Sequence, residues 1–138
     1  MSDSEQYLWP LFRAEYIGRI GRIRDILNDS YASGFSSSSF DQLHQEFDSI
    51  NGASRVVHRE DIGELARLAA SYARYLRIRL PNEPADAQLV LLDALVVLAE
   101  KVIPLINMES DFYCLKESVL PQIRELLMPP LPHEPEER

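Results

Sequence analysis

Leu8, Phe12, Tyr16, Ile20, Ile23 and Leu27 follow one another at intervals of four, four, four, three and four residues. Such intervals draw a single apolar stripe down an α-helix but scatter over both faces of a strand. The spacing predicts a helix over residues 5–27, with Glu5 near its start and Arg19, Arg22 and Arg24 toward its end, charges that suit the helix dipole. Gly18 and Gly21 interrupt the pattern. Each weakens a helix by about 1 kcal/mol relative to alanine, a cost that a close helix neighbour would explain.

The same periodicity returns downstream between turn formers. Asn28-Asp29-Ser30 and Gly34 read as a break, followed by a run of four serines. Ser39-Phe40-Asp41-Gln42 fits a capping box, Ser39 as the cap and Gln42 reaching back. It predicts a helix over 40–57 with Leu43, Phe47, Ile50, Ser54 and Val57 inward. Asp61-Ile62-Gly63-Glu64 offers a second capping box, opening a third helix that reaches residue 79. Its inward residues are Leu65, Leu68, Ala69, Tyr72 and Leu76, with Tyr75 at the margin. Leu80-Pro81-Asn82-Glu83-Pro84 ends it, since proline cannot continue the ladder.

A fourth helix is predicted over 85–103, where Leu89, Leu92, Leu95, Val96 and Leu98 are apolar around much of the circumference, and Pro104 ends or kinks it. A fifth, over 110–128, carries Phe112, Leu115, Val119, Ile123 and Leu127, and is kinked or split by Pro121. Val56-Val57 and Val96-Val97 are too short for strands and lie within helical spacing. The expected fold is all-α: an antiparallel up-down four-helix bundle with an additional C-terminal helix. One domain would occupy residues 1–128. Residues 129–138, proline-rich and acidic, would be an extended or disordered tail or the start of a linker.

Charge narrows the partners. The chain has 22 acidic against 14 basic side chains, a net charge of −8. A field of that sign repels phosphate backbones and anionic lipid, so neither nucleic acid nor a membrane surface is expected as a partner. Cys114 is the single cysteine, so no internal disulfide can form, which suits a reducing compartment. Met1-Ser2-Asp3-Ser4-Glu5 has no basic region leading into an apolar run, and the apolar stretch 89–105 contains Asp93, Glu100 and Lys101. The expectation is a cytoplasmic protein without a secretory signal or a bilayer-spanning helix.

Signatures of catalysis are scarce. There is no glycine-rich phosphate loop, no cysteine pair and no His-Glu-x-x-His. The histidines are His44, His58 and His133. His44 and Asp48 stand four apart on one helix face, a geometry that can clamp a metal. No third ligand accompanies them, so neither a metal nor a cofactor is expected. Arg67, Arg74, Arg77 and Arg79 concentrate positive charge on the third helix, for an acidic partner or as an ordinary charged face. Trp9, beside Pro10, would staple the N-terminus or offer an exposed anchor.

The segment Leu43-His44-Gln45-Glu46-Phe47-Asp48-Ser49-Ile50-Asn51-Gly52-Ala53-Ser54 resembles the phosphoacceptor helix of histidine-containing phosphotransfer (HPt) domains, especially the N-terminal phosphotransfer domain of chemotaxis-type histidine kinases. That helix carries an apolar residue, three others, then Phe-His-x-apolar-Lys-Gly-small-small. Leu43, Phe47, Ile50, Gly52, Ala53 and Ser54 fit the pattern. Glu60-Asp61-Ile62-Gly63-Glu64-Leu65-Ala66 looks like the family's lead into its next helix, and residues 12–27 are similar to its first, so the resemblance covers about residues 12–106.

Two departures decide what the resemblance implies. Asp48 stands at the family's phosphorylated histidine, and Asn51 at the lysine three residues later. Phosphotransfer needs an imidazole nitrogen that attacks phosphorus and gives a labile phosphoramidate. Receiver-type aspartates accept phosphate only beside magnesium held by further acids and a lysine, which the sequence around Asp48 lacks. The resemblance therefore implies a degenerate phosphotransfer domain without enzymatic activity. It would be an interaction module of bacterial two-component or chemosensory signalling, binding a response-regulator receiver domain or a histidine kinase without accepting phosphate.

With Phe47 and Ile50 inward, Asp48 should face solvent. His44 and Gln45 lie a turn before it and Asn51, Gly52 and Arg55 after it, a polar patch around a glycine notch that would be the partner-binding surface. Two rival readings stand beside this one. One is an active phosphotransferase using His44, which has Phe47 at the lysine offset, or His58, near a helix end. The other is an unrelated helical adaptor.

Overall fold

In a computed structural model, the structure describes residues 3–79, 86–106, 121, 122 and 125. Four helices hold them: α1 (Asp3–Ser33), α2 (Ser37–Val56), α3 (Glu60–Ile78) and α4 (Asp86–Leu105). Among the described residues there is no strand, and no helix is long and apolar enough to cross a membrane. The expected C-terminal helix lies outside the described residues except at Pro121, Gln122 and Glu125, which are helical. Cys114, His133, the Leu80-to-Pro84 break and the 129–138 tail lie outside them too.

Every helix begins or ends somewhere other than the turn formers suggested. α1 runs straight through Asn28-Asp29-Ser30, because the Ser30 hydroxyl donates to the Ile26 carbonyl at 2.7 Å and so satisfies itself within the helix. The chain turns only at Gly34, whose φ of +101° is left-handed and whose N–H donates to Ser30 O at 2.7 Å. That geometry favours glycine at a helix C-terminus. The cap of α2 is Ser36, three residues before the expected Ser39. Ser39 closes the capping box from the third helical position, its N–H donating to Ser36 Oγ at 3.1 Å and its hydroxyl accepting from Ser36 N–H at 3.4 Å. Gln42 instead donates to Ser38 Oγ at 3.2 Å.

The second expected capping box is absent. α3 starts after Arg59, which makes no side-chain cap bond. Asp61 is turned to the Arg59 guanidinium, accepting from Nε and Nη2 at 3.1 Å each in a buried fork. The Arg59 guanidinium also lies 5.1 Å over the Trp9 ring, which fastens the α2–α3 turn to the first turns of α1. Trp9 is thus a buried staple and not an exposed anchor. Pro104 does not end α4, which continues to Leu105.

The stripes read from spacing converge on one core. Phe12, Tyr16, Ile20, Ile23 and Leu27 meet Leu43, Phe47, Ile50 and Val57, then Leu65, Ala69, Tyr72 and Leu76, then Leu92, Leu95, Val96 and Leu98. Leu8 and Leu68 are only partly buried against it. α2 and α3 share the most extensive contact. Gly63 makes it close: a Cβ there would stand 2.6 Å from Ser54 Oγ and 3.1 Å from Asn51 Oδ1. Gly18 and Gly21, by contrast, lean on no neighbouring helix.

Polar ties join α1 to α4. Tyr16 donates its hydroxyl to Ala99 O at 2.7 Å, and Arg24 bridges to Asp93 and Glu100 at 2.8 Å each. Arg19 and Arg22 join α1 to Glu46 of α2 at 3.0 and 3.3 Å.

Candidate functional site

α2 divides its residues by angle. Phe40, Leu43, Phe47, Ile50 and Ser54 are buried. Asp41, Gln45, Asp48, Gly52 and Arg55, offset by half a turn and spaced four, three, four and three, are all exposed. The inward stripe forces the outward one, because a helix rotates each residue by the same fixed angle. Asp48 sits at the middle of the outer line with no hydrogen-bond or ion-pair partner among the described residues.

Two members of the expected patch sit lower. His44 is half-buried on the α3 side, its Nδ1–H donating to the Ala70 carbonyl at 3.0 Å. The carbonyl can only accept, so this contact fixes the proton on Nδ1. His44 is a tie between α2 and α3 rather than a free surface imidazole. Asn51 is also half-buried, its Oδ1 facing Gly63. Gln45, Asp48, Gly52 and Arg55 therefore form the outermost surface, and His44 and Asn51 its α3-side shoulder. His58 lies apart, exposed in the α2–α3 turn with a left-handed φ of 59°.

Gly52 keeps the line open: a Cβ added there would meet nothing within 4 Å. A groove flanks it on each side. Toward α3, Asn51, Arg55, Glu60, Glu64 and Arg67 line a polar groove of about 540 Å³. Toward α1, Leu8, Leu11, Phe12, Ala53 and Val56 line an apolar one of similar size. Leu11 is 59% exposed and Val56 56%, so two large apolar side chains stand open to solvent along this groove. Sequence reading missed this second groove. Its only trace was that Leu11 and Val56 are large apolar residues that fall off the buried stripes.

Chemically the face offers a carboxylate, two amides and a guanidinium. Among the described residues no three His, Cys, Asp or Glu side chains gather closely enough to hold a metal ion. The groups with displaced pKa values lie in the helix ties instead. Burial, then the Glu100 charge, pushes the Tyr16 hydroxyl far above its ordinary value. The hydrogen bond to Glu100 raises Arg24, and burial pushes Tyr72 up to about 12.

Comparison with protein-family models, with curated proteins and with solved structures finds no match. The functional reading therefore rests on the outer line of α2 and on the residues that compose it.

Proposed function

We propose that this chain is a non-catalytic, HPt-like interaction module that docks a receiver domain or a histidine kinase of a bacterial two-component or chemosensory pathway, in the cytoplasm, without accepting phosphate. The observation that carries this reading is the exposed, unpaired Asp48 at the centre of α2, beside the open surface of Gly52. The resemblance sets a phosphoacceptor histidine at that position. A carboxylate there keeps the surface and removes the nucleophile.

The finer architecture proposed is an antiparallel up-down bundle with a further C-terminal helix. The antiparallel arrangement is supported by the order of the contacts: Asp41 with Arg77 and His44 with Ala70, then Tyr16 with Ala99 and Tyr31 with Leu89. In each pair of helices, rising numbers on one meet falling numbers on the other.

The test is calorimetric titration of the intact chain with purified receiver and kinase domains from the same host, alongside phosphotransfer from a phosphorylated donor. Saturable binding is expected, weakened at least about tenfold by Asp48→Arg. No acid-labile phosphate should appear on the wild-type chain. The paired change Asp48→His with Asn51→Lys is expected to restore weak phosphate uptake. Acid-labile phosphate on wild-type His44 or His58 would replace this reading with the phosphotransferase one. Absence of binding to every receiver and kinase domain would leave only an unrelated helical adaptor.

A further inference from the structure

α1 neutralises three of its four arginines; the fourth, Arg13, has no acid among the described residues, and its Nε is buried without a hydrogen-bond partner. Arg19 meets Glu15 at 2.9 Å and Glu46 at 3.0 Å, Arg22 meets Glu46, and Arg24 meets both Asp93 and Glu100. Arg59 is held by Asp61. α3 behaves differently. Arg67 and Arg74 are exposed and have no carboxylate within ion-pair distance. Arg79 lies 5.4 Å over the Tyr75 ring, and Arg77 alone of the four reaches an acid, Asp41 at 2.6 Å. Two full turns separate Arg67 from Arg74, about 10 Å along the axis, with exposed Ser71 between them on the same line.

In a chain of net charge −8, Arg67 and Arg74 therefore expose unneutralised guanidinium groups, as Arg55 does on the adjacent outer line of α2. A guanidinium presents a planar fork matched to a carboxylate, and arginine is enriched at protein interfaces while other charged residues are depleted. The line also adjoins the α2 face. His44 meets α3 at Ala70 and Asn51 meets it at Gly63, so Asp48, between them on α2, stands level with Arg67.

We propose that the line Arg67–Ser71–Arg74, continued by Arg77, is a docking surface for a carboxylate-rich protein segment. Glu15, Glu46, Asp93 and Glu100 are already engaged by arginines, while the guanidinium groups of Arg67 and Arg74 remain open to an acidic partner. Charge complementarity of this kind steers the encounter and fixes its register. The inference takes its location from the interaction reading above but does not need the partner to be a receiver or a kinase.

The test is a titration of the ¹⁵N-labelled full chain with an oligoglutamate peptide, read by amide and arginine Nε shifts. Shifts confined to residues 67–77 are expected. They should weaken at least about tenfold in Arg67→Glu/Arg74→Glu and vanish toward 1 M salt, where the Debye length is about 3 Å. Lys101→Glu, an exposed cation on α4, should leave them unchanged. Absence of shifts, shifts that persist in a folded Arg67→Glu/Arg74→Glu chain, or tighter binding of a charge-matched oligonucleotide on the same line would overturn the proposal. The peptide experiment requires no receiver or kinase domain, so its failure and the failure of the calorimetric titration are separate results.

Discussion

At the scale of single residues, the glycines separate by what stands near them. Gly63 is crowded by Ser54 and Asn51, so Gly63→Ala should destabilise the fold by about 1–3 kcal/mol, as an overpacked contact does. Gly21 faces open space in mid-helix, so Gly21→Ala should stabilise it by about 0.5–1 kcal/mol. Urea midpoints of the two variants should move in opposite directions. Composition pointed the other way, to Gly18 and Gly21 as the close-approach positions, because it registers a glycine without registering what lies opposite. Gly63, inside a capping-box pattern and the stretch similar to the family's lead into its next helix, gives no sign in the sequence of what it faces.

The tyrosines give a pH dependence with a definite sign. Tyr16 is buried against α4 and Tyr72 is buried with its pKa pushed up to about 12. An unfolded tyrosine ionises near 10, so between about pH 10 and 12 the native state keeps protons that the unfolded chain has released. The stabilisation is complete below about pH 10 and is lost as pH rises through the folded values. Urea midpoints should therefore fall above about pH 10, and less steeply in Tyr72→Phe. Tyr16→Phe should lower stability by about 1 kcal/mol even at neutral pH, since Ala99 O loses its donor.

Among the helices, apolar spacing was a faithful guide to bodies and a poor one to ends. The inward stripes of α1 and α2 were legible because burial repeats every three to four residues whatever the loops do. Ends depend on a few hydrogen bonds that several neighbouring residues could make. Four consecutive serines offered four candidate caps, and the path from Gly34 selected Ser36. Ser36→Ala should cost about 1 kcal/mol by removing the capping acceptor, whereas Ser37→Ala, exposed in the first turn, should be close to neutral in thermal melts. Asp61 illustrates the converse failure. As a residue type it suits a cap, yet a buried arginine two residues earlier competes for its carboxylate and wins through two charge-assisted hydrogen bonds.

For the molecule as a whole, α1 is the element joined to both α2 and α4 by ion pairs. Arg24 carries the α4 side, with Asp93 and Glu100 both partly exposed. Its bonds are bidentate and partly shielded, so Arg24→Ala should lower stability by about 1–2 kcal/mol, more than an isolated surface pair contributes. The difference from wild type should shrink at high salt in parallel denaturation curves.

Periodic burial is a local property written into residue spacing, and from it came the all-helical class, the core stripes and the outward position of Asp48. Facts that depend on two helices meeting came only from the folded chain. Spacing placed His44 beside Asp48 on an open face, but the approach of Ala70 draws the imidazole into a helix–helix bond. The apolar groove beside Gly52 needs Leu11 and Val56, 45 positions apart, to come together. The arginines of α3 were visible as a cluster of charge. That Arg67 and Arg74 remain without acids, while Arg19, Arg22 and Arg24 do not, was settled by which helices became neighbours, since an ion pair across helices depends on distances that no spacing along the chain encodes.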